Sequence, residues 1–132
     1  MSEVKANVFY SKEHEWADIS DSGTVRVGIS DFAQCELGDI VFVEFPELGA
    51  RVQAGDPMGT IESVKTVSDL FAPVSGIITK VNTSLLDQPE LVNEQPYEGG
   101  WIVEMEWVQD AQEEMNGLLT AEQYKAFIDE HQ

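Results

Sequence analysis

The sequence predicts a mainly β protein, built as a sandwich or small barrel with short helices added toward its ends. Three observations carry that expectation. Short runs rich in Val, Ile and Phe recur between Thr24 and Trp107. Turns such as Ala54-Gly55-Asp56-Pro57 and Pro73-Val74-Ser75-Gly76 separate them. An amphipathic helical stripe lies in the tail. Strands of this kind must each bury one face against another layer.

The elements follow in order. Residues 1–12 hold one apolar cluster, Val8-Phe9-Tyr10, and the polar stretch Lys12-Glu13-His14-Glu15 leads into Trp16. Asp18 to Gly23 reads as a turn, because Asp, Ser and Gly cluster there between apolar stretches. Thr24 to Ile29 alternates, so Val25, Val27 and Ile29 share one face of a strand. Ser30 is placed to cap a short helix over Asp31 to Leu37, Asp31 suits the dipole of its first turn, and Gly38 stops it. Asp39 to Phe45 is β-rich and ends at Pro46; Leu48 to Val52 is a turn and short strand. Met58 to Ser63, Thr66 to Phe71 and Ile77 to Val81 are strands. The pair Gly38-Asp39 recurs as Gly55-Asp56, a hint of two similar halves.

After Asn82 the texture changes. Leu85 to Pro96 reads as loop with one helical turn near Glu90-Leu91-Val92, and Trp101 to Trp107 as the last strand. Asp110 to Leu119 is acidic at its start and reads as helical. Thr120 and Gln123 form a capping box for a helix whose Tyr124, Phe127 and Ile128 make one apolar stripe. A length of 132 residues suits one domain, 1–132, with a core at about 20–108 and C-terminal helices at about 110–130.

Hydrophobic residues at 42% argue against disorder, and no apolar run approaches the roughly 18 residues of a membrane span. The start, Met-Ser-Glu-Val-Lys-Ala, has no apolar signal stretch and is not Arg-rich, which predicts a cytoplasmic, bacterial-type protein. The formal net charge of −18 repels phosphate backbones and anionic lipid, so neither nucleic acid nor membrane is an expected partner. That charge reads either as a solvated surface or as steering toward a basic docking face. Cys35 is the one cysteine, so no intrachain disulfide forms; it reads as a small, partly buried thiol at the end of a short helix.

The informative segment runs from Gly59 to Gly76. Two strand-like stretches meet at Val64-Lys65, and Lys65 is the only lysine between residues 13 and 79. A type I turn tolerates these residues at its centre. A lone lysine on such a turn is open to another enzyme, although a merely solvated lysine has the same appearance. Gly59 and Gly76 suit backbone geometry.

The segment Glu62-Ser63-Val64-Lys65, followed by Ser68-Asp69-Leu70-Phe71-Ala72-Pro73-Val74-Ser75-Gly76, resembles the lipoylation site of the glycine cleavage system H proteins. Further motifs resemble that family in the same order: Tyr10-Ser11-Lys12-Glu13-His14-Glu15-Trp16, Val27-Gly28-Ile29-Ser30 with Ala33-Gln34, and Leu37-Gly38-Asp39-Ile40-Val41-Phe42-Val43. Pro89-Glu90-Leu91-Val92-Asn93, Pro96-Tyr97, Gly99-Gly100-Trp101 and Leu118-Leu119 follow. The likeness spans roughly residues 8 to 128. It departs at Thr66-Val67, where the family favours small residues, and at Phe71, where tyrosine is common.

The resemblance implies a lipoyl-domain-like fold, a sandwich or flattened barrel of two small antiparallel sheets with short helices. It implies lipoate in amide linkage to Lys65, which removes the lysine charge. The implied role is a non-catalytic swinging-arm carrier in glycine catabolism and one-carbon metabolism. A pyridoxal-phosphate decarboxylase (P protein) would load the arm with the aminomethyl group of glycine. A folate-dependent aminomethyltransferase (T protein) would unload it, and dihydrolipoyl dehydrogenase (L protein) would reoxidise it. A lipoylating enzyme would first attach the arm, recognising Glu62 and Asp69. Ser63, Val64, Thr66 and Ser68 complete the loop around the attachment point. His14, Glu15 and Asp69 are candidates for a cleft that parks the loaded arm, with a carboxylate pairing its ammonium.

Several readings compete. A biotin carrier resembles Met-Lys-Met, whereas Lys65 stands between Val64 and Thr66. The lipoyl domain of a 2-oxoacid dehydrogenase resembles Asp-Lys-Ala and lacks the extra terminal segments. A lipoyl relay, an unmodified acidic interaction module and a free-standing enzyme using His14 and Glu15 are the others. His14-Glu15-Trp16 is no zinc signature, because no second His follows at the required spacing, and no metal is expected. Ser63, Ser68 and Ser75 lack the Gly-x-Ser-x-Gly elbow of a serine hydrolase.

Overall fold

The computed structural model describes residues 4–20, 22–107 and 117–130. Among the described residues, nine strands form two antiparallel sheets that close no barrel. The larger sheet has six strands in the order β1 (Phe9–Tyr10), β2 (Glu15–Ile19), β3 (Thr24–Ile29), β9 (Val103–Trp107), β8 (Gly76–Val81) and β5 (Arg51–Val52). The smaller has three: β4 (Ile40–Glu44), β6 (Pro57–Ser63) and β7 (Val67–Phe71). The sandwich expectation therefore holds, but the sheets are unequal. Of the recurring Gly-Asp pairs, Gly38 ends a helix and Gly55 sits in a tight turn, both at positive φ (+84° and +89°), and the strands after them, β4 and β6, pair antiparallel within one sheet.

The alternation of β3 is borne out, with Val25, Val27 and Ile29 buried and Arg26 exposed. They meet Val43, Ile61 and Leu70 of the smaller sheet in the main apolar core. A second cluster joins Tyr10, Trp16, Phe32 and Tyr97 to Tyr124 and Ile128. Trp16 lies opposite Gly28 on β3, and a Cβ on Gly28 would stand 2.7 Å from the indole. The indole N–H donates to Pro96 O at 2.9 Å.

Helix α1 (Asp31–Leu37) has the predicted cap: Ser30 Oγ accepts from Ala33 N–H at 3.1 Å, and Gly38 takes φ +84°. The capping box of α4 (Ala121–Glu130) also forms, with Thr120 N–H donating to Gln123 Oε1 at 2.9 Å and Gln123 N–H to Thr120 Oγ1 at 3.3 Å. Tyr124 and Ile128 of its stripe are buried.

Four expectations are corrected. The polar stretch before Trp16 runs straight into β2, which also takes Asp18 and Ile19, so the turn contracts to the Ser20–Gly23 region. Asp18 is exposed opposite Arg26, which is how a strand accommodates it. The stretch 85–96 holds two short helices, α2 (Ser84–Asp87) and α3 (Leu91–Glu94), anchored by buried Leu85 and Val92. Cys35 is exposed, and it is the fifth residue of α1 rather than a partly buried end. Leu119 is not helical; it bridges Tyr10 through two backbone hydrogen bonds of 2.8 and 2.7 Å. The rest of the expected acidic helix, residues 110–116, lies outside the described residues.

Candidate functional site

Strands β6 and β7 form a hairpin whose tip is Val64-Lys65. Ser63 shapes the tip, as a hydroxyl at the first turn position can. Its N–H donates to Thr66 O at 2.8 Å, and its Oγ accepts from the N–H groups of Lys65 at 3.2 Å and Thr66 at 3.1 Å. Lys65 is exposed, and its stem lies against Gly38, where a Cβ would stand 3.3 Å from Lys65 Cε. Val64 N–H reaches out of the hairpin to Asp39 O at 3.0 Å.

A cleft of about 510 Å³ opens beside this hairpin. The hairpin supplies Ile61, Ser68, Asp69 and Phe71; helix α1 supplies Phe32, Ala33, Glu36 and Leu37; β2 and the turn before it supply Glu13, His14 and Glu15. Leu37 directly precedes the Gly38 on which the lysine stem rests. With Ile29 of β3, the lining is half apolar, and four of its residues, Glu13, Glu15, Glu36 and Asp69, are carboxylates, a mixture suited to a hydrocarbon chain that ends in a positive charge.

Glu15 is 2% exposed, not solvated. Its Oε1 accepts from Ser11 Oγ at 2.6 Å, its Oε2 from Phe71 N–H at 3.4 Å, and its own N–H donates to Ser11 Oγ at 3.1 Å. Burial pushes the carboxyl up to about 8, against the smaller pull of the hydrogen bonds from Ser11 and Phe71. Burial thus favours the neutral acid around neutral pH. A cation beside this group would favour the carboxylate.

His14 takes φ +71°, rare for a residue with a side chain. Its N–H donates to Ser11 O at 3.1 Å and its O accepts from Ser30 N–H at 2.9 Å. Its Nδ1 pairs with Tyr124 Oη at 2.8 Å, and that hydroxyl also pairs with Ser30 Oγ at 2.6 Å. Burial raises the Tyr124 hydroxyl well above its ordinary range, so it stays protonated.

The structure thus brings His14, Glu15, Ser68 and Asp69 into one cleft. Asp69 is exposed there, so it faces water as well as the cleft. Glu62 does not join them. It pairs in register with Phe42 and Val67 on the smaller sheet, outside the cleft lining. Val64 and Thr66 are exposed at the tip. Sequence reasoning missed Ser11 as the partner of Glu15, the Phe71 N–H, and Tyr124 as the partner of His14. Ser11 stood four residues before Glu15 within a recognised motif; nothing in the sequence pointed across 110 residues to Tyr124.

A lysine held out on a hairpin tip beside a half-apolar cleft, within two facing antiparallel sheets, is the architecture of a carrier domain. The chain belongs to the glycine cleavage H-protein family, whose sequence model matches residues 8–131. It is 57% identical over 121 residues to the glycine cleavage system H protein of Geobacillus thermodenitrificans, covering 92% of this chain and 93% of that one. It is 51% identical over 129 residues to that of Alcanivorax borkumensis, covering 98% of both. The crystal structure of a glycine cleavage system H protein from Mycobacterium marinum matches with a TM-score of 0.87 at 40% identity, covering 96% of this chain and 99% of that one. Its role is that of a lipoyl carrier in the glycine cleavage system. Among the described residues no helix is long and apolar enough to cross a membrane.

Proposed function

We propose that Lys65 bears the lipoyl group in amide linkage and that this chain, one carrier domain acting in the cytoplasm, contributes no bond-breaking side chain of its own. The observation that carries the reading is the pairing of an exposed lysine tip with an adjoining half-apolar cleft walled by Glu15. The residues present fit the group. Ile61, Phe32 and Leu37 offer apolar surface for its chain, and Glu15 and Asp69 offer carboxylates for a cationic cargo. When bound, lipoate supplies a dithiolane that takes up the aminomethyl group of glycine and is later reoxidised.

The chain's own residues do the positioning. Ser63 fixes the turn, so the lysine stem starts from a defined point. Stem and attached chain together reach on the order of 10–15 Å, enough to enter the cleft or a partner's site. Glu15, with Asp69 at the cleft wall, pairs with the cargo's ammonium at about 1.5–3 kcal/mol, while the apolar lining limits water. His14 completes the wall, held by Tyr124. Tethering gives each partner a high local concentration of cargo without tight docking. The expected partners are the P, T and L proteins and a lipoylating enzyme, for which Glu62 and Asp69 flank the target.

Intact mass and peptide mapping of protein from a lipoate-replete host test this. A lipoyl-sized increment on the Lys65 peptide is expected, and Lys65→Arg should lose both the increment and support of glycine cleavage in a reconstituted system. An increment on another lysine, or activity surviving in Lys65→Arg, overturns the reading.

A further inference from the structure

The hairpin tip is tied to the rest of the molecule by little. Among the described residues, the hydrogen bonds of Val64, Lys65 and Thr66 stay within the hairpin except one, from Val64 N–H to Asp39 O at 3.0 Å. Asp39 is itself the middle of a turn held from both sides by one side chain. Asn93 on α3 donates through Nδ2 to Gly38 O at 2.9 Å, and its Oδ1 accepts from Ile40 N–H at 2.9 Å. The second Nδ2 hydrogen donates to Gln34 Oε1 on α1 at 2.9 Å. One half-buried amide thus satisfies the backbone on either side of Asp39 and locks it to α1. The same turn carries Gly38, on which the Lys65 stem rests.

We infer that Asn93 is a positioning residue for Lys65: its amide fixes the Gly38–Ile40 turn, and that turn holds the hairpin tip in the presentation from which the lysine is modified. The inference rests on Lys65 being the attachment point. Only asparagine and glutamine carry one carbonyl acceptor and two amide donors on one group, and asparagine has the shorter stem. An aspartate could still accept from Ile40 but would set a carboxylate against Gly38 O and Gln34 Oε1. A leucine loses all three bonds.

The test uses the full-length apo protein with lipoate, ATP and a lipoylating enzyme. Three quantities are read: hydrogen exchange at the Val64 amide, kcat/KM for mass gain, and Tm. The control is Asn82, whose Nδ2 donates to Gly99 O at 2.8 Å and Trp101 O at 2.7 Å, away from the hairpin. Asn93→Leu should speed Val64 exchange and lower kcat/KM, each about tenfold, because a misplaced target loses rate steeply. Asn82→Leu should lower Tm while leaving both other readouts at wild-type values. The inference is overturned if Asn93→Leu spares both readouts, or if Asn82→Leu changes them equally. Should Asn93→Leu not fold, Val64→Pro removes the same N–H at a turn position that accepts proline, and should loosen Lys65 and slow attachment alike; unchanged attachment there overturns it. A wild-type chain that gains no mass sinks the attachment reading instead, and the role of Asn93 with it.

Discussion

The carboxylate of Glu15 on β2 accepts a hydrogen bond from the backbone of Phe71 on β7, and so joins two sheets that share no strand pairing. The bond is long, 3.4 Å, and the group is 2% exposed, so desolvation outweighs it and the carboxyl rises from 4.5 to about 8. Because the folded protein holds this proton more tightly than the unfolded chain, the stabilisation is complete below about pH 4.5 and is lost as pH rises through about 8. Glu15→Gln cannot ionise and should lack that slope. Urea unfolding of both proteins from pH 5 to pH 8.5 should show the variant gaining on wild type by on the order of a few kcal/mol. A difference that stays flat with pH would remove Glu15 as the titrating group.

The same carboxyl should govern the lifetime of the loaded carrier. Burial favours the neutral acid around neutral pH, and an ammonium beside the group would favour the charged form. Glu15→Gln keeps the shape but forfeits the charge, so loaded protein should decay about tenfold faster, the loss expected for one charge-assisted hydrogen bond. Asp69→Asn should shorten the lifetime less, because Asp69 is exposed and water screens its pairing. Decay is followed by release of the cargo as ammonia and formaldehyde. Equal lifetimes in wild type and Glu15→Gln would take the residue out of the cleft's chemistry.

The local rules were legible in the residues. Ser30, Gly38, Thr120 and Gln123 announce their caps because capping is settled within four residues. The alternation of Val25, Val27 and Ile29 announces a buried face. What could not be read there is what depends on distant partners. Glu13, Glu15 and Asp69 are the same chemistry in sequence, yet only Glu15 is buried, because Ser11 folds back over it and β7 passes behind it. β2 was hidden because its first residue is charged and its fourth, Asp18, is polar. The helices around Leu85 and Val92 are each 4 residues long, too short for periodicity to show, and are fixed by the core they plug.

Gly38 should resist substitution for a backbone reason. Its φ of +84° with ψ of −160° lies where only glycine is comfortable, at a cost of about 1–3 kcal/mol for alanine. The added methyl would meet only the flexible Lys65 stem, 3.3 Å from Cε, which can swing away. Gly38→Ala should therefore lower the unfolding free energy by that amount, read as a lower urea midpoint at unchanged slope. A variant as stable as wild type would show that this turn adopts another conformation in solution.

Tyr124 offers a clean reading of one hydroxyl. Its ring stacks on Tyr10 at 4.2 Å with planes 3° apart, and phenylalanine keeps that contact. Its hydroxyl pairs with both His14 and Ser30, tying α4 to the cleft wall and to the cap of α1. Tyr124→Phe removes both bonds in a fully buried place, so stability should fall by about 1–3 kcal/mol. Ser30 still caps Ala33, so α1 itself should persist. The wall position of His14 should loosen, since its φ of +71° is held partly through that ring. A Tm drop together with shifted His14 ring resonances, and an unchanged far-ultraviolet circular dichroism spectrum, is the expected pattern. A Tm drop with unshifted His14 resonances would mean that the backbone bonds to Ser11 and Ser30 suffice to hold it.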